Sequence, residues 1–163
     1  MPHFTDDNRA RARDIVAQYP RSRSAIMPLA YLAQDQDGFV STEAIADIAG
    51  FVNVSPAEVQ GTISFYTMFK RRPCGKYVVS VCTNVTCLVL GGPELYEHLS
   101  EKYASDADVT VEEVECLAAC GGAPALQVNY EFHEKMTPAA AEAIVEDYKA
   151  GRLTARTISG TRT

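Results

Sequence analysis

Several features that would assign a protein to a common functional class are missing from this sequence of 163 residues. It has no excess of basic residues: 15 Lys and Arg are outnumbered by 21 Asp and Glu, which gives a net charge of −6. A protein whose main partner is a nucleic acid needs a basic face for the phosphates. In addition, no apolar run approaches the ~20 residues that span a bilayer. We therefore expect neither a nucleic-acid partner nor a membrane span.

Motifs for nucleotide binding and for dithiol exchange are also missing. The sequence contains no Gly-x-Gly-x-x-Gly fingerprint and no phosphate-binding loop, which argues against a nucleotide site on this chain. It contains no Cys-x-x-Cys motif, which argues against thioredoxin-type redox chemistry. Residues 1–9 lack the apolar core and the cleavage site of a secretory signal. A reducing, cytoplasmic compartment is therefore the expected location.

Helix signals dominate the first seventy or so residues. Ser55 and Glu58 form a capping-box pattern with proline at the first helical position, and Thr5 and Ser41 are suitable N-caps. The pattern predicts helices over residues 5–18, 24–33 and 42–49 and a fourth helix from residue 55. We expect residues 35–38 to interrupt the pattern after the second helix, and Gly50 to end the third.

After Gly75 the pattern changes to strands that alternate with helices. Residues 76–81 are β-branched and aromatic, as in a strand buried on both faces. They are followed by a loop, a helix over 93–103, a strand from Val109, a hairpin over 125–134 and a helix that starts at Thr137. The order β-α-β-β-β-α predicts a small α/β sheet. We therefore expect a helical N-terminal domain over residues 1–73 and an α/β domain over residues 74–163.

The five cysteines carry the strongest chemical signal. In a reducing compartment they are more consistent with metal binding or redox chemistry than with a disulfide framework. Cys82 and Cys87 have C-x4-C spacing where the first strand ends, and Cys116 and Cys120 have C-x3-C spacing where the second strand ends. Neighbouring parallel strands bring the loops that follow them to one edge of a sheet. The four thiols are therefore predicted to converge on one metal centre.

The spacing also bears on which metal centre this is. Zinc ribbons usually bind one ion through C-x2-C pairs. The loops between the cysteines of this chain are longer, and they suit a [2Fe-2S] cluster, whose two irons each need two thiolates. We infer that Cys82 and Cys87 bind one iron and that Cys116 and Cys120 bind the other, with amides near Gly121 and Gly122 supporting the sulfurs. A zinc site and four unrelated buried cysteines stay open as alternatives.

The remaining potential ligands are not expected to take part in this centre. Cys74 lies in a basic, turn-rich segment without a cysteine close by in the sequence, and we expect it not to be a ligand. His3, His98 and His133 are scattered along the chain, and surface or core roles are expected for them.

The sequence resembles a known protein family in four segments. They are residues 61–69 (GTISFYTMF), 75–82 (GKYVVSVC), 116–124 (CLAACGGAP) and 127–129 (QVN). Together they resemble the small thioredoxin-like [2Fe-2S] subunit of NADH-quinone oxidoreductase, respiratory complex I. The resemblance covers nearly the whole chain. It implies an α/β fold in which an N-terminal helical bundle precedes a thioredoxin-like [2Fe-2S] ferredoxin domain, with Cys82, Cys87, Cys116 and Cys120 as the cluster ligands.

The same resemblance implies a role in electron transfer. The chain would dock against a larger iron–sulfur subunit that binds FMN and NADH, and against other subunits of the peripheral arm, at the inner face of the cell membrane. Its cluster would exchange single electrons with the flavin, and no catalytic residue and no complete active site would lie on this chain. Related subunits serve NAD-linked hydrogenases and formate dehydrogenases, and the sequence separates these parent enzymes poorly. A zinc-stabilised interaction module is the alternative from another class.

Overall fold

The computed structural model describes residues 3–158 and 160. The chain divides into two compact units, with the boundary between Pro73 and Cys74. The first unit is helical, and the second unit combines a four-stranded sheet with helices. Within the described residues, none of the helices combines the length and the apolar character that crossing a bilayer requires.

The first unit consists of four α-helices and a short 3₁₀ helix. They are α1 (Asp6–Ala17), the 3₁₀ helix Ser22–Ala25, α2 (Ile26–Asp37), α3 (Thr42–Val52) and α4 (Pro56–Phe65). Thr5, Ser41 and Ser55 each accept a hydrogen bond from the backbone amide three residues later, which satisfies one of the free amides at a helix start. The Glu58 side chain completes the capping box at Ser55. The helix starts predicted at these three caps are confirmed.

The helices of the first unit enclose an apolar core, and a buried polar side chain ties the core to the segment after α4. Leu29, Ile48 and Ile63 are fully buried in this core. Gln34 is also buried; its Nε2 donates to the Met68 carbonyl at 3.1 Å. Its Oε1 accepts from the Lys70 amide at 2.7 Å. Both ends of the amide are thereby satisfied, as burial of a polar group requires.

Two helix ends differ from the sequence prediction. Helix α2 continues to Asp37 and ends at Gly38, whose φ of 80° lies in the left-handed region. Helix α3 passes through Gly50 and ends at Asn53, with φ 55°. Glycine inside a helix costs only about 1 kcal/mol, and continuing α3 buries Val52 in the core. Packing therefore outweighs the local stop signal at Gly50.

The second unit contains four strands, three α-helices and a 3₁₀ turn. They are β1 (Tyr77–Cys82), α5 (Val85–Val89), α6 (Gly92–Lys102), β2 (Val109–Val114), the 3₁₀ turn Cys120–Gly122, β3 (Leu126–Val128), β4 (Glu131–His133) and α7 (Pro138–Lys149). The predicted order of strands and helices is confirmed, except that α5 forms where we expected a loop.

Strand β1 lies inside the sheet and is buried along its whole length. The strand order is β2-β1-β3-β4, with β1 parallel to β2 and antiparallel to β3. Leu95 and Leu99 of α6 and Val145 of α7 pack with the strands in one apolar core. The parallel pairing sets the end of β1 beside the end of β2; the first cysteine pair begins with the last residue of β1, and the second pair follows the end of β2.

A buried asparagine organises the turn between β3 and β4. Asn129 Oδ1 accepts from the Val78 amide at 2.8 Å. Its Nδ2 donates to the carbonyls of Lys76 and Arg156 at 2.8 and 2.9 Å. Asn129 and Tyr130 both have positive φ, as the two central residues of a type I′ hairpin turn do. One side chain thus joins the turn, the start of β1 and the C-terminal segment.

Candidate metal centre

The first cysteine pair lies on a buried strand end and a short helix. Cys82 is the last residue of β1 and Cys87 lies in α5, and both residues are buried. Helix α6 starts directly against them: a Cβ at Gly92 would stand 2.6 Å from the Cys82 carbonyl oxygen and 2.8 Å from that of Cys87. Only glycine permits this approach, so the absence of a side chain at Gly92 lets α6 start directly against both cysteines.

The second pair lies on an irregular loop after β2. Cys116 follows the end of β2 at Val114, and Cys120 opens the 3₁₀ turn; both residues are exposed. Between them Ala118 has a φ of 58°, and its amide donates to Cys116 Sγ at 3.3 Å. The loop therefore turns its backbone towards a sulfur.

Contacts between the two loops bring the pairs together. Thr83, next to Cys82, donates from its amide to the Val114 carbonyl at 3.2 Å. Its hydroxyl donates to Glu113 Oε1 at 2.7 Å. Cys82 Sγ donates to the carbonyl of Glu115, the residue before Cys116, at 3.9 Å. The two pairs are near enough that Cys116 affects the pKa of Cys82 and Cys120 affects the pKa of Cys87, although burial has the larger effect on each.

The surroundings shift the pKa values of the two buried thiols in opposite directions. Burial raises the pKa of Cys82, but hydrogen bonds from backbone groups of Asn84 and Leu117 and from two neighbouring thiols outweigh it, and the net pKa is lowered. Burial raises the pKa of Cys87, and the hydrogen bond and charge of Cys82 add to this, whereas a backbone hydrogen bond from Ala125 opposes it. Cys82 is therefore the thiol that this environment favours as a thiolate.

The backbone groups that reach sulfur differ from those that the sequence suggested. They belong to Asn84 and Leu117 at Cys82, to Ala118 at Cys116 and to Ala125 at Cys87. The amide of Gly122 donates instead to the Ala119 carbonyl at 3.0 Å. No sequence motif marks these positions, because the loop conformation selects them.

The remaining cysteine and the histidines lie in other places. Cys74 precedes β1, whereas Cys82 ends it, so the strand separates the two residues. His3 contacts Asp37, His98 contacts Glu142 and His133 contacts Tyr148. All five cysteines fall in the part of the chain that the structure describes, and none forms a disulfide.

The donor set has the chemistry that a [2Fe-2S] cluster needs. Over residues 3–158 and 160, no group of three or more His, Cys, Asp or Glu side chains is arranged to hold a metal ion. A [2Fe-2S] cluster instead takes four cysteine thiolates, two on each iron, and hydrogen bonds to the sulfurs tune it. Two loops here each supply two thiols, and backbone groups reach three of the four sulfurs.

Comparisons with known proteins agree with this chemistry. The sequence profile described as thioredoxin-like [2Fe-2S] ferredoxin matches residues 12–149. A subunit of NADH-quinone oxidoreductase from Mycobacterium bovis is 38% identical over 146 residues, which cover 85% of this chain and 58% of that protein. NADH-quinone oxidoreductase subunit 2 of Thermus thermophilus is 36% identical, with 91% of this chain and 88% of that protein covered. The chain thus spans little more than half the length of the mycobacterial relative.

A solved structure supports the fold assignment. An NAD⁺-reducing [NiFe]-hydrogenase in the H₂-reduced state superposes with a TM-score of 0.62 at 23% identity, over 75% of this chain and 22% of that one. This likeness bears on the fold, and the family follows from the sequence profile and from the relatives, as the sequence resemblance predicted. The chain therefore belongs to the thioredoxin-like [2Fe-2S] ferredoxin family, in the group that includes these NADH-quinone oxidoreductase subunits, and its cofactor is a [2Fe-2S] cluster.

Proposed function

We propose that this chain is the electron-transfer subunit of an NADH-quinone oxidoreductase. One observation carries the proposal: two pairs of thiols interact at the adjoining ends of β1 and β2, in a chain whose relatives bear that enzyme's name. When bound, the cluster takes up and gives back single electrons. No complete active site is assigned to this chain, and a partner subunit supplies the NADH chemistry.

The proposed ligands divide between the two loops. Cys82 and Cys87 hold one iron, and Cys116 and Cys120 hold the other. Burial of the first pair keeps water away from one side of the cluster, while the second pair faces the surface of this unit. Backbone groups that point at the sulfurs compensate the negative charge of the thiolates. The exposed pair thus marks the side through which electrons enter and leave.

The proposed partner is a larger iron–sulfur subunit that binds FMN and NADH. This partner and other peripheral subunits would form an arm of the complex at the inner face of the cell membrane, and this chain would lie in that arm. The support is the identity of the relatives, which are subunits of a multi-subunit oxidoreductase. Direct electron exchange with the flavin requires this docking.

The two compact units are proposed to be separate domains, with residues 1–73 as a helical domain and residues 74–163 as the cluster domain. The support is that contacts within each unit define the division, and that each unit has its own apolar core. Each core removes apolar surface from water without help from the other unit.

The NAD-linked hydrogenase alternative shares the same fold and the same cluster. Its specific support is the superposition on the NAD⁺-reducing hydrogenase. Co-expression with flavin-binding subunits from the same genome distinguishes the two parent enzymes. We expect a stable complex with the flavoprotein of the quinone-reducing enzyme, in which NADH bleaches the visible absorption of this chain's cluster. Assembly with a hydrogenase flavoprotein alone would contradict the proposal.

The cluster and its ligands are tested on the protein purified without oxygen. We expect about two irons and two acid-labile sulfides per chain, visible absorption, and a paramagnetic signal after dithionite reduction. Cys116→Ser should impair assembly of the cluster or shift its potential. The matched control Cys74→Ser should leave the spectrum unchanged. A colourless protein with one zinc per chain would establish the zinc alternative, and equal loss of colour in both variants would refute the ligand assignment.

A further inference from the structure

A carboxylate packs against the turn that carries the second cysteine pair. A Cβ built at Gly122 would stand 2.2 Å from Cδ and from Oε2 of Glu134, so the carboxylate lies directly over the Cα of this glycine. Gly122 and Cys120 share one 3₁₀ turn, in which each residue advances about 2 Å. The carboxylate is therefore close to the backbone that presents the Cys120 thiol.

Backbone hydrogen bonds hold the carboxylate's segment in this place. The Lys135 amide donates to the Gly122 carbonyl at 2.6 Å, and the Met136 amide donates to the Pro124 carbonyl at 3.0 Å. Lys135 has a φ of 54°, and the chain bends there, just after Glu134. Two backbone hydrogen bonds thus tie the residues directly after Glu134 to the segment after Cys120.

We propose that Glu134 lowers the reduction potential of the [2Fe-2S] cluster through its negative charge. The inference rests on the proposed function, because it takes Cys120 as a ligand. A cluster with four thiolates is anionic, and reduction adds another negative charge to it. A carboxylate held nearby repels the added charge, and because Glu134 is exposed, water and dissolved ions weaken this repulsion without removing it. Glu134 thereby favours the oxidised state and makes the reduced cluster a better electron donor.

The test is a redox titration of the cluster, followed by paramagnetic resonance, in the full-length protein. Glu134→Gln keeps the shape and removes the charge, and its midpoint potential should be more positive than that of the unaltered protein. Glu131→Gln is the matched control on the same hairpin, because the Glu131 carboxylate is paired with Arg156 Nε at 2.9 Å. The midpoint potential of Glu131→Gln should shift less than that of Glu134→Gln. The shift in Glu134→Gln should also shrink as salt is added, since ions screen an exposed charge.

A second variant tests whether the contact with Gly122 matters. In Gly122→Ala the new methyl group forces the carboxylate to move, so the potential should rise. Combined with Glu134→Gln, Gly122→Ala should add little further shift, because coupled sites are not additive. Additive shifts in the double variant would contradict the proposal.

The outcomes separate this inference from the proposed function. A cluster with normal spectra and an unchanged potential in Glu134→Gln overturns the inference alone. A shift no larger than that of Glu131→Gln overturns it too, as does loss of the cluster in Glu134→Gln but not in the control. Absence of a cluster from the unaltered protein would instead overturn the proposed function.

Discussion

Replacing Gly92 by alanine should weaken the cluster-bearing unit. The new Cβ would stand 2.6 Å from the Cys82 carbonyl oxygen and 2.8 Å from the Cys87 carbonyl oxygen. The shorter distance is about 0.7 Å less than the ~3.3 Å at which carbon and oxygen make favourable contact. Both obstacles are backbone atoms, so no side-chain rotation relieves the overlap, and α6 must move away from the two cysteines. Overpacking of this kind costs about 1–3 kcal/mol.

Thermal unfolding with two signals measures the effect of Gly92→Ala. Far-ultraviolet circular dichroism follows the helices and the sheet, and visible absorption follows the cluster. For a domain of 60–100 residues, each kcal/mol lowers the unfolding midpoint by about 4–8 °C, and the visible signal should be lost at the lower temperature as well. Gly121→Ala is the control, since a Cβ there meets nothing within 4 Å although the residue adjoins Cys120. An unchanged midpoint in Gly92→Ala would refute the reasoning from close approach.

Two contacts in the second unit and the exposed segment before it support three further predictions. Asn129→Ala leaves three backbone groups without their side-chain partner and should destabilise the protein by about 2–4 kcal/mol in urea titrations; a change within error would contradict this. The hydrogen bond from Lys149 lowers the pKa of the Asp106 carboxyl. The ion pair therefore stabilises the folded protein at pH values above 3.8, the usual pKa of aspartate, and this stabilisation is lost as the pH falls through the lowered pKa. The stability difference between the unaltered protein and Lys149→Met should accordingly narrow below that pH, and a difference that stays constant would exclude the ion pair as its cause. Trypsin should cut first after the exposed Arg71, because Pro73 blocks cleavage after Arg72, and it should leave two resistant fragments, seen by mass spectrometry, whereas early cuts throughout either unit would contradict the domain proposal.

Local chemistry made many parts of this protein predictable. Thr5, Ser41 and Ser55 mark helix starts because a side-chain oxygen satisfies an amide only three residues away. The strand β1 was predictable because its β-branched and aromatic residues suit a buried strand. The position of Cys82 at its end followed from the same pattern.

Other parts depend on contacts between distant segments. Helix α5 has five residues and an N-cap, Asn84, whose side chain makes no capping bond, so local signals did not indicate it. Isolated helices this short are not stable in water, and α5 forms where α6 begins against Cys87. The end of α3 beyond Gly50 likewise reflects burial of Val52.

The amino-acid sequence by itself determined that four thiols occur in two pairs, each where a strand ends, because spacing and strand patterns are properties of short segments. Folding decided how the pairs meet: β1 lies parallel to β2, α6 starts at Gly92 directly against one pair, and the Glu134 carboxylate lies against the turn of the other. These contacts join different strands, helices and turns, and they form because burying the apolar faces of the sheet and helices brings those elements together.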